Sequence, residues 1–265
     1  MISSVHNPLV KQLRQLGESS KHRHKQGQML LEGSHLIQAA ISVNYPLTIV
    51  CYTEAWRAKA GSLYDRLLSY NCRLELVADH VLSAIATTRH PDGIVASAPL
   101  PCPSPLEIKR IALALEGIQD PGNLGTIIRS SAAAGCDGII LGETCVDLTN
   151  PKILRSTAGQ WFRSVIKPVN NLVAELQYWQ RRGIKIVGTS AQADQVFWEY
   201  DFAQPSLLVL GNEGRGLTAA ILQMTDVCLA IPVEEGVESL NVGMTATLLL
   251  YEAKRQLWSG TRLMP

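Results

Sequence analysis

The sequence predicts an α/β protein with two domains, and three observations support this prediction. Short apolar runs alternate with segments of helical periodicity, the pattern of strands joined by crossover helices. The apolar runs are continuous, so the strands are expected to pair in parallel with both sheet faces covered. Four prolines within residues 99–105 prevent a helix or a central strand from continuing, and this stretch separates the two halves.

The first predicted domain spans residues 1–98 and is followed by a proline-rich linker at 99–108. Its strands are the short apolar runs at 29–31, 47–52 and 74–77. Helical periodicity occupies neighbouring stretches at 34–43, 55–70 and 79–87. This alternation predicts a small α/β domain.

The chain begins with a basic segment, although its formal net charge is only +1. Glu18 is the one acidic residue among the first thirty, which contain five basic ones: Lys11, Arg14, Lys21, Arg23 and Lys25. A phosphate backbone attracts such a segment, so these residues are candidate nucleic-acid contacts. A solvated helix face would explain the same pattern without any partner, and the charges alone leave both interpretations open.

The second predicted domain, residues 109–265, shows a stronger alternation of the two patterns. Its apolar runs predict buried strands at 111–115, 138–141, 185–188, 207–210 and 227–231. Helical patterns cover 123–134, 150–159, 171–182, 218–224 and 241–257. The last helix is apolar on nearly every face around 244–251, which is expected of a helix buried on several sides.

Composition excludes several classes of protein. Hydrophobic residues make up 46% of the chain and charged residues 18%, which is incompatible with intrinsic disorder. The apolar runs are too short to span a bilayer and the N-terminus has no secretory signal pattern, so a cytoplasmic protein without membrane partners is expected. The six cysteines form no CxxC pair and match no zinc spacing, so reduced thiols and no metal site are expected.

Three glycine-rich turns follow predicted strands of the second domain, at the strand ends where open α/β sheets bind ligands. The turns cover residues 115–125, 208–217 and 231–243. Their glycine spacing does not fit the dinucleotide fingerprint, and Leu217 stands where a phosphate-binding loop requires Lys. A G-x-S-x-G nucleophile elbow is also absent. Neither hydride transfer nor phosphoryl transfer is supported.

The turns carry polar side chains at fixed points. Asn123 stands at a predicted helix N-cap, and Arg129 follows at a spacing that lets it point toward the turn. Taken singly, a helix cap and a surface ion pair would explain these two residues. Glu213, flanked by glycines, is harder to explain as a structural residue, whereas Ser239 and Asn241 are explained equally well as a capping pair for the last helix.

In this order and spacing, the three turns resemble the signature motifs of SpoU-type RNA 2′-O-ribose methyltransferases of the SPOUT superfamily. The first motif is similar to residues 120–129, the second to 210–217 and the third to 231–242. Residues 150–159 also resemble a family segment, and the resemblance covers 111–257 almost continuously. Three segments, at 7–11, 30–33 and 90–96, resemble the small substrate-binding domain of many family members. That domain is related to RNA-binding ribosomal proteins.

The resemblance implies methyl transfer from S-adenosyl-L-methionine, bound in a deep trefoil knot of the C-terminal domain, to a ribose hydroxyl of RNA. By position it assigns catalysis to Arg129, Asn123, Glu213, Ser239 and Asn241. It assigns cofactor contacts to Thr189, Ser190, Ala191, Gly211, Asn212, Gly216, Ile231 and Leu240. It adds Arg155 to the RNA contacts, and it implies a homodimer that pairs through the knotted domain.

Arginine stays protonated at neutral pH, so Arg129 is expected to grip the phosphate beside the target and orient the hydroxyl, with proton removal shared or indirect. Large-subunit rRNA is the favoured substrate, because tRNA-modifying relatives typically lack a separate N-terminal domain. A tRNA 2′-O-methyltransferase and a catalytically retired RNA-binding protein of the same fold are the alternatives. The five catalytic candidates argue against a retired enzyme, since a pure binder has no use for their combination.

Overall fold

The structure is a computed structural model that describes residues 1–102 and 105–257. In chain order, its α-helices are α1 (Pro8–Glu18), α2 (Ser20–Gln26), α3 (Ser34–Ser42), α4 (Glu54–Arg57), α5 (Ser62–Leu68), α6 (Asp79–Ile85), α7 (Pro121–Ala134), α8 (Pro151–Ser156), α9 (Leu172–Gln180), α10 (Ala219–Leu222) and α11 (Val242–Leu257). The strands are β1 (Gln28–Glu32), β2 (Ile49–Tyr52), β3 (Arg73–Leu76), β4 (Ile94–Pro99), β5 (Ile111–Leu115), β6 (Ile139–Leu141), β7 (Ile166–Pro168), β8 (Lys185–Thr189), β9 (Gln195–Val196), β10 (Ser206–Leu210) and β11 (Val227–Ala230).

The chain forms two compact units. Unit 1 comprises Met1–Cys102 and Asp147–Arg163, and unit 2 comprises the described parts of Pro103–Val146 and Ser164–Pro265. Part of the predicted linker, residues 103–104, lies outside the described residues. These units are groups of residues that pack together, and the domain boundaries at 98 and 109 stay a prediction.

Within the described residues, unit 1 contains a mixed four-stranded sheet in the order β1-β4-β2-β3. Strand β4 runs antiparallel to both β1 and β2, and only β2 and β3 pair in parallel. The prediction of parallel pairing was therefore wrong for this sheet, because it missed β4, whose sequence leads directly into the prolines. The predicted helix at 55–70 is divided into α4 and α5 at Gly61, which has a positive φ of 52°.

Residues 147–163, which the sequence assigned to the second domain, pack within unit 1. Arg155 on α8 forms an ion pair of 2.9 Å with Glu32 at the end of β1. Gly159 lies so close to α3 that an added Cβ would be 2.5 Å from Cβ of Ala39. The predicted helix at 150–159 ends early, because Ala158 and Gly159 adopt positive φ angles of 48° and 80°.

Unit 2 contains, in the described part of the chain, a seven-stranded sheet in the order β7-β6-β5-β10-β8-β11-β9. Every pairing in it is parallel, as the apolar runs predicted. The short strands β7 and β9 were not predicted, because three and two residues are too few to form a recognisable apolar run. All five strands of the sequence-based prediction for this unit are present.

Helices α7 and α11 pack closely against each other in unit 2. An added Cβ on Gly243 would lie 3.0 Å from the Thr126 methyl group, and the hydroxyls of Ser130 and Thr247 are 2.7 Å apart. The outer face of α11 is exposed at Met244, Leu248 and Tyr251, so this helix is not buried on every side within the chain. No helix in residues 1–102 and 105–257 combines the length and apolar character needed to cross a membrane.

Candidate active site

The three glycine-rich turns meet at the carboxyl edge of the unit 2 sheet. β10 pairs with β5 on one side and β8 on the other, and β8 pairs with β11, so the loops that follow these strands are close neighbours. We call them the first loop (residues 116–120), the second loop (211–217) and the third loop (231–241). Parallel strands bring ligand-binding loops to one edge in this way.

Helix α7 starts at the end of the first loop, and its cap differs from the prediction. Asp120 is the N-cap, since its carboxylate accepts hydrogen bonds from the backbone N–H groups of Gly122 at 2.6 Å and Asn123 at 3.0 Å. Pro121 occupies the first helical position, where its missing N–H has no cost. Asn123 is therefore not the cap, and its side chain is available for another role.

The side chain of Asn123 connects all the catalytic candidates that carry carboxamide or carboxylate groups. Its Nδ2 donates a hydrogen bond of 2.8 Å to Oε1 of Glu213 in the second loop. Its Oδ1 accepts a hydrogen bond of 2.8 Å from Nδ2 of Asn241 in the third loop. Asn241 also caps α11, because its Oδ1 accepts from the N–H of Gly243 at 2.9 Å. The predicted capping role and a role in the site are thus combined in Asn241.

The second loop is shaped by Asn212. Its Oδ1 accepts from the backbone N–H groups of Gly214 at 3.0 Å and Arg215 at 3.2 Å, and its Nδ2 donates to the carbonyl of Gly117 in the first loop at 2.8 Å. The same amide lies 3.5 Å from the second carboxylate oxygen of Glu213. Asn212 therefore holds the two loops together and orients the carboxylate, and it also lines the cavity described below.

The thiol of Cys145, which the sequence did not single out, is hydrogen-bonded to the first loop and to the strand before it. Cys145 accepts a hydrogen bond from the N–H of Ile118 at 3.4 Å and donates one to the carbonyl of Leu115 at 3.3 Å. Burial raises the pKa of this thiol, so it remains the neutral donor that the carbonyl requires. Its only sequence signal was a position shortly after a predicted strand.

A cavity of about 420 Å³ lies between the second and third loops and the end of β8. Its lining includes all eight predicted cofactor contacts: Thr189, Ser190, Ala191, Gly211, Asn212, Gly216, Ile231 and Leu240. Glu213 and Ser239 from the catalytic set also line it. The cavity is within the size range of small-molecule sites. Contact of these residues with a cofactor stays a prediction.

The walls of the cavity combine apolar and polar groups in similar measure. Leu210, Leu217 and Leu229 line it, and Thr245 and Gln192 join them without having been predicted. The hydroxyl of Thr189 donates its hydrogen bond to the Val209 carbonyl at 3.2 Å, within the protein. A pocket with both apolar and polar walls suits a ligand that has an apolar part and a polar part. No cluster of potential metal ligands occurs among residues 1–102 and 105–257.

Among the catalytic candidates, Arg129 neither lines the cavity nor joins the hydrogen bonds around Asn123. It is exposed on α7, it does not line the cavity, and it forms no hydrogen bond or ion pair with any other residue that the structure describes. Six residues rotate an α-helix by about 600°, which puts Arg129 about 120° around the helix from Asn123. No contact among the described residues directs Arg129 toward the first loop, and its catalytic role stays a prediction.

The predicted RNA contacts of unit 1 fall into three groups by exposure. Lys11, Lys21 and Lys25 are exposed, and Arg14 is exposed in an ion pair with Glu18 at 2.9 Å. Arg155 is about one-quarter exposed and is paired with Glu32. Arg23 corrects the prediction, because its side chain is only 3% exposed and forms an ion pair of 2.5 Å with Asp147. A buried arginine does not present its charge to RNA.

Comparison with known proteins matches both parts of the chain to families. Residues 110–251 match the SpoU rRNA Methylase family, and residues 7–96 match the MRM3-like substrate binding domain. The chain belongs to the SpoU rRNA methylase family. Its SpoU region contains all three loops and α7, so the network around Asn123 is part of the family's own domain.

Individual SpoU relatives align along the whole chain. An uncharacterized tRNA/rRNA methyltransferase of Synechocystis is 43% identical over 98% of this chain and 95% of its own length. The 23S rRNA (guanosine(2553)-2′-O)-methyltransferase RlmP of Bacillus subtilis is 32% identical over 96% of this chain and 98% of its own. The crystal structure of the SpoU methyltransferase AviRb from Streptomyces viridochromogenes was determined in complex with AdoMet. It superposes on this chain with a TM-score of 0.88 at 29% identity. The superposition covers 97% of this chain and 100% of AviRb.

Proposed function

We propose that this SpoU family member transfers the methyl group of S-adenosylmethionine to a ribose 2′-hydroxyl of large-subunit rRNA. The observation that carries the proposal is the junction of the cavity with the Glu213–Asn123–Asn241 network at the sheet edge. AviRb, whose fold matches over nearly the whole chain, was solved with AdoMet bound. RlmP, which aligns over both units, is a 23S rRNA 2′-O-methyltransferase by name.

The cavity suits S-adenosylmethionine in size and chemistry. Ile231 and Leu240 offer apolar surface to the adenine ring, and backbone groups at Gly211 and Gly216 offer polar contacts without bulky side chains. Gly211 must lack a side chain, because a Cβ there would collide with the backbone of Gly216 and Leu217. The bound cofactor supplies a methyl group on a positively charged sulfur, which is an electrophile for a hydroxyl oxygen.

The chain's own residues hold the ribose and assist removal of the proton from its 2′-hydroxyl. The 2′-hydroxyl is a weak nucleophile that must be aligned with the methyl group and relieved of its proton. Glu213 borders the cavity with its carboxylate fixed by Asn123, and Ser239 borders it from the third loop. These groups orient the ribose, and Arg129 grips the adjacent phosphate and stabilises the oxygen while the hydroxyl proton passes to solvent water.

We infer that the active form is a homodimer that pairs through unit 2, with the knot that the family fold carries. Met244, Leu248 and Tyr251 form an exposed apolar stripe at positions i, i+4 and i+7 of α11. Arg129 lies outside its own cavity on α7, the helix packed against α11. We infer that a second copy covers this stripe and supplies its Arg129 to the cavity, which completes each active site.

Mixing two inactive variants tests the dimer. Arg129→Ala and Glu213→Gln are each expected to be inactive alone. If Arg129 acts on the partner's cavity, subunit exchange creates one intact site in each mixed dimer and restores about one-quarter of the wild-type activity. If Arg129 acts within its own chain, mixed dimers remain inactive, and the dimer proposal is then wrong.

Two alternatives share the same chemistry or the same fold. A tRNA 2′-O-methyltransferase would use the same cavity with a different RNA, and a retired enzyme would bind RNA without turnover. The match of residues 7–96 to a substrate-binding domain, together with the alignment to RlmP over both units, supports rRNA. Such a substrate is consistent with a cytoplasmic enzyme.

A transfer assay separates these possibilities. Labelled S-adenosylmethionine is incubated with the protein and total RNA from a strain deleted for the gene, and the RNA is then fractionated. We expect label in large-subunit rRNA. Label in tRNA would overturn the proposed substrate, and cofactor binding without transfer to RNA or to ribosomal subunits would indicate a retired enzyme.

A further inference from the structure

Helix α2 is anchored to unit 1 through polar side chains: Arg23, Ser20 and His24 all reach Asp147. The helix has the sequence Ser-Lys-His-Arg-His-Lys-Gln, which contains no apolar residue. Arg23 is the one buried side chain among its seven residues, all of which the structure describes. A helix of this length is marginal without tertiary contacts, so its position depends on these contacts, and the buried Arg23 reaches the most acceptors.

The Arg23 guanidinium donates in three directions to three separate acceptors. Nη1 donates to the carbonyl of Leu16 in α1 at 2.9 Å, Nε to Oγ1 of Thr149 at 3.0 Å, and Nη2 to Oδ2 of Asp147. The other oxygen of Asp147 accepts from both the N–H and the hydroxyl of Thr149, at 3.0 and 2.8 Å. A planar guanidinium can satisfy this arrangement, whereas a lysine ammonium has one nitrogen for three distant acceptors.

Lys21 and Lys25 lie on the opposite face of α2. They are four residues apart and therefore neighbours on the helix surface, and Arg23 is about 200° around the helix from Lys21. Both lysines are exposed, and neither has a partner within the described ranges of the chain. The burial of Arg23 thus fixes the direction in which these two charges point.

We propose that Arg23 is a positioning residue for substrate binding: by locking α2 to Asp147 and Thr149, it presents Lys21 and Lys25 to phosphates of the RNA. The proposal rests on the proposed function, since it concerns how that RNA is held. It replaces the direct phosphate contact expected of Arg23 from the basic sequence. It also gives Asp147 and Thr149, which belong to the SpoU-matching region, a part in substrate binding.

The salt dependence of RNA affinity distinguishes positioning from direct contact. Each phosphate contact contributes about 0.7–0.9 to the slope of log K against log salt concentration. Arg23→Lys retains the charge, so a direct contact would keep the slope nearly unchanged. If Arg23 positions the two lysines, the same variant loses both contacts, and the slope falls by about 1.5 with affinity about tenfold weaker at low salt.

The experiment measures binding of the full-length protein to a labelled transcript of large-subunit rRNA. Arg23→Lys is compared with Arg57→Lys, which replaces an exposed arginine paired with Glu54 in the same unit and is expected to bind as the wild type does. In a Lys21→Ala/Lys25→Ala background, Arg23→Lys is expected to cause no further loss. An unchanged slope, or losses that add in the combined variant, would overturn the proposal.

Two controls keep folding and function separate from this result. S-adenosylmethionine affinity and far-ultraviolet circular dichroism are expected to be unchanged in Arg23→Lys, and Asp147→Asn is expected to reproduce its RNA defect. A wild-type protein that binds the cofactor but neither the transcript nor ribosomal subunits would contradict the proposed function itself. If the wild type binds RNA and the affinity losses of the variants add in the combined variant, only the role of Arg23 is contradicted.

Discussion

Asn123 donates a hydrogen bond of 2.8 Å to Glu213, although the two residues are ninety positions apart. The second polar atom of the same amide accepts from Asn241, so one side chain joins the start of α7, the second loop and the start of α11. Because both ends of the amide are used, its orientation is fixed by its partners. The carboxylate of Glu213 is thereby held at the border of the cavity.

Replacing Asn123 is therefore expected to affect catalysis more than cofactor binding. Asn123→Ala removes both hydrogen bonds and should lower kcat by about 10²-fold or more, which is typical for loss of a preorganised polar group. Asn123→Asp should be equally impaired, because it places a second carboxylate against Glu213. Steady-state kinetics with saturating cofactor measures this effect. Asn170→Ala, an exposed amide outside the network, is the control, and equal losses in both variants would contradict the role of Asn123.

Two glycines of the second loop are expected to differ in their tolerance of alanine. A Cβ on Gly211 would collide with the backbone of Gly216 and Leu217, whereas one on Gly214 would have Oδ1 of Asn212 as its nearest neighbour at 3.7 Å. Gly211→Ala should weaken S-adenosylmethionine binding more than tenfold, which corresponds to about 1.4 kcal/mol or more. Gly214→Ala should change it little. Titration calorimetry measures both, and similar affinities would show that the loop does not shape the cofactor site.

The Arg23–Asp147 pair predicts a specific dependence of stability on acid pH. Burial alone would raise the pKa of Asp147, but hydrogen bonds from Ser20, Thr149 and Arg23 outweigh it and lower the pKa from 3.8 to about 2. A lowered pKa in the folded state stabilises the protein above about pH 4, by about 2 kcal/mol, and this contribution is lost as the pH falls toward 2.

Asp147→Asn should therefore reduce the free energy of unfolding at pH 7 and make it less sensitive to pH between 4 and 2. Urea unfolding at a series of pH values measures both effects. An exposed acid such as Glu107 serves as the control, since Glu107→Gln should leave the pH profile unchanged. A wild-type profile in Asp147→Asn would show that the pair does not contribute to stability.

Unit 1 is expected to be incomplete without residues 147–163. In a fragment of residues 1–102, Arg23 would lose Asp147 and Thr149, and the buried carboxylate of Glu32 would lose Arg155. Leaving a buried charge without its partner costs about 3–5 kcal/mol, which is a large part of the stability of a small domain. The fragment should unfold at low urea or without cooperativity, as followed by circular dichroism.

A fusion of residues 1–102 to 147–163 through a flexible linker should restore cooperative unfolding. This fusion protein differs from the fragment only in the linker and the segment that supplies the missing partners. If the fragment and the fusion protein unfold at the same urea concentration, the packing of 147–163 does not stabilise unit 1.

Much of unit 2 was predictable because its signals are local. Continuous apolar runs identified five strands of the parallel sheet, and the motif resemblance assigned eight residues that the structure places around one cavity. Local patterns could not show that Asp120, rather than Asn123, caps α7, because both residues are good caps and the choice depends on where the helix begins. The network of Asn123 required the positions of three loops.

The errors in unit 1 come from partners that are distant in sequence. Arg23 lies in a basic segment, and only the fold reveals that Asp147, 124 residues away, accepts its charge. Strand β4 was hidden beside the prolines that suggested a boundary. The role of Arg129 stays a prediction, because helical spacing alone could not show that α7 contributes no residue to the lining of the cavity.

The central claim is that the cavity and the Asn123 network serve methylation of a ribose 2′-oxygen. The most direct measurement is alkaline hydrolysis of large-subunit rRNA labelled by the protein from methyl-labelled S-adenosylmethionine. A 2′-O-methyl group blocks cleavage of the adjacent phosphodiester, so we predict label in an alkali-resistant dinucleotide, formed about 10²-fold more slowly by Asn123→Ala. Label released entirely as mononucleotides would show methylation of a base and would contradict the account.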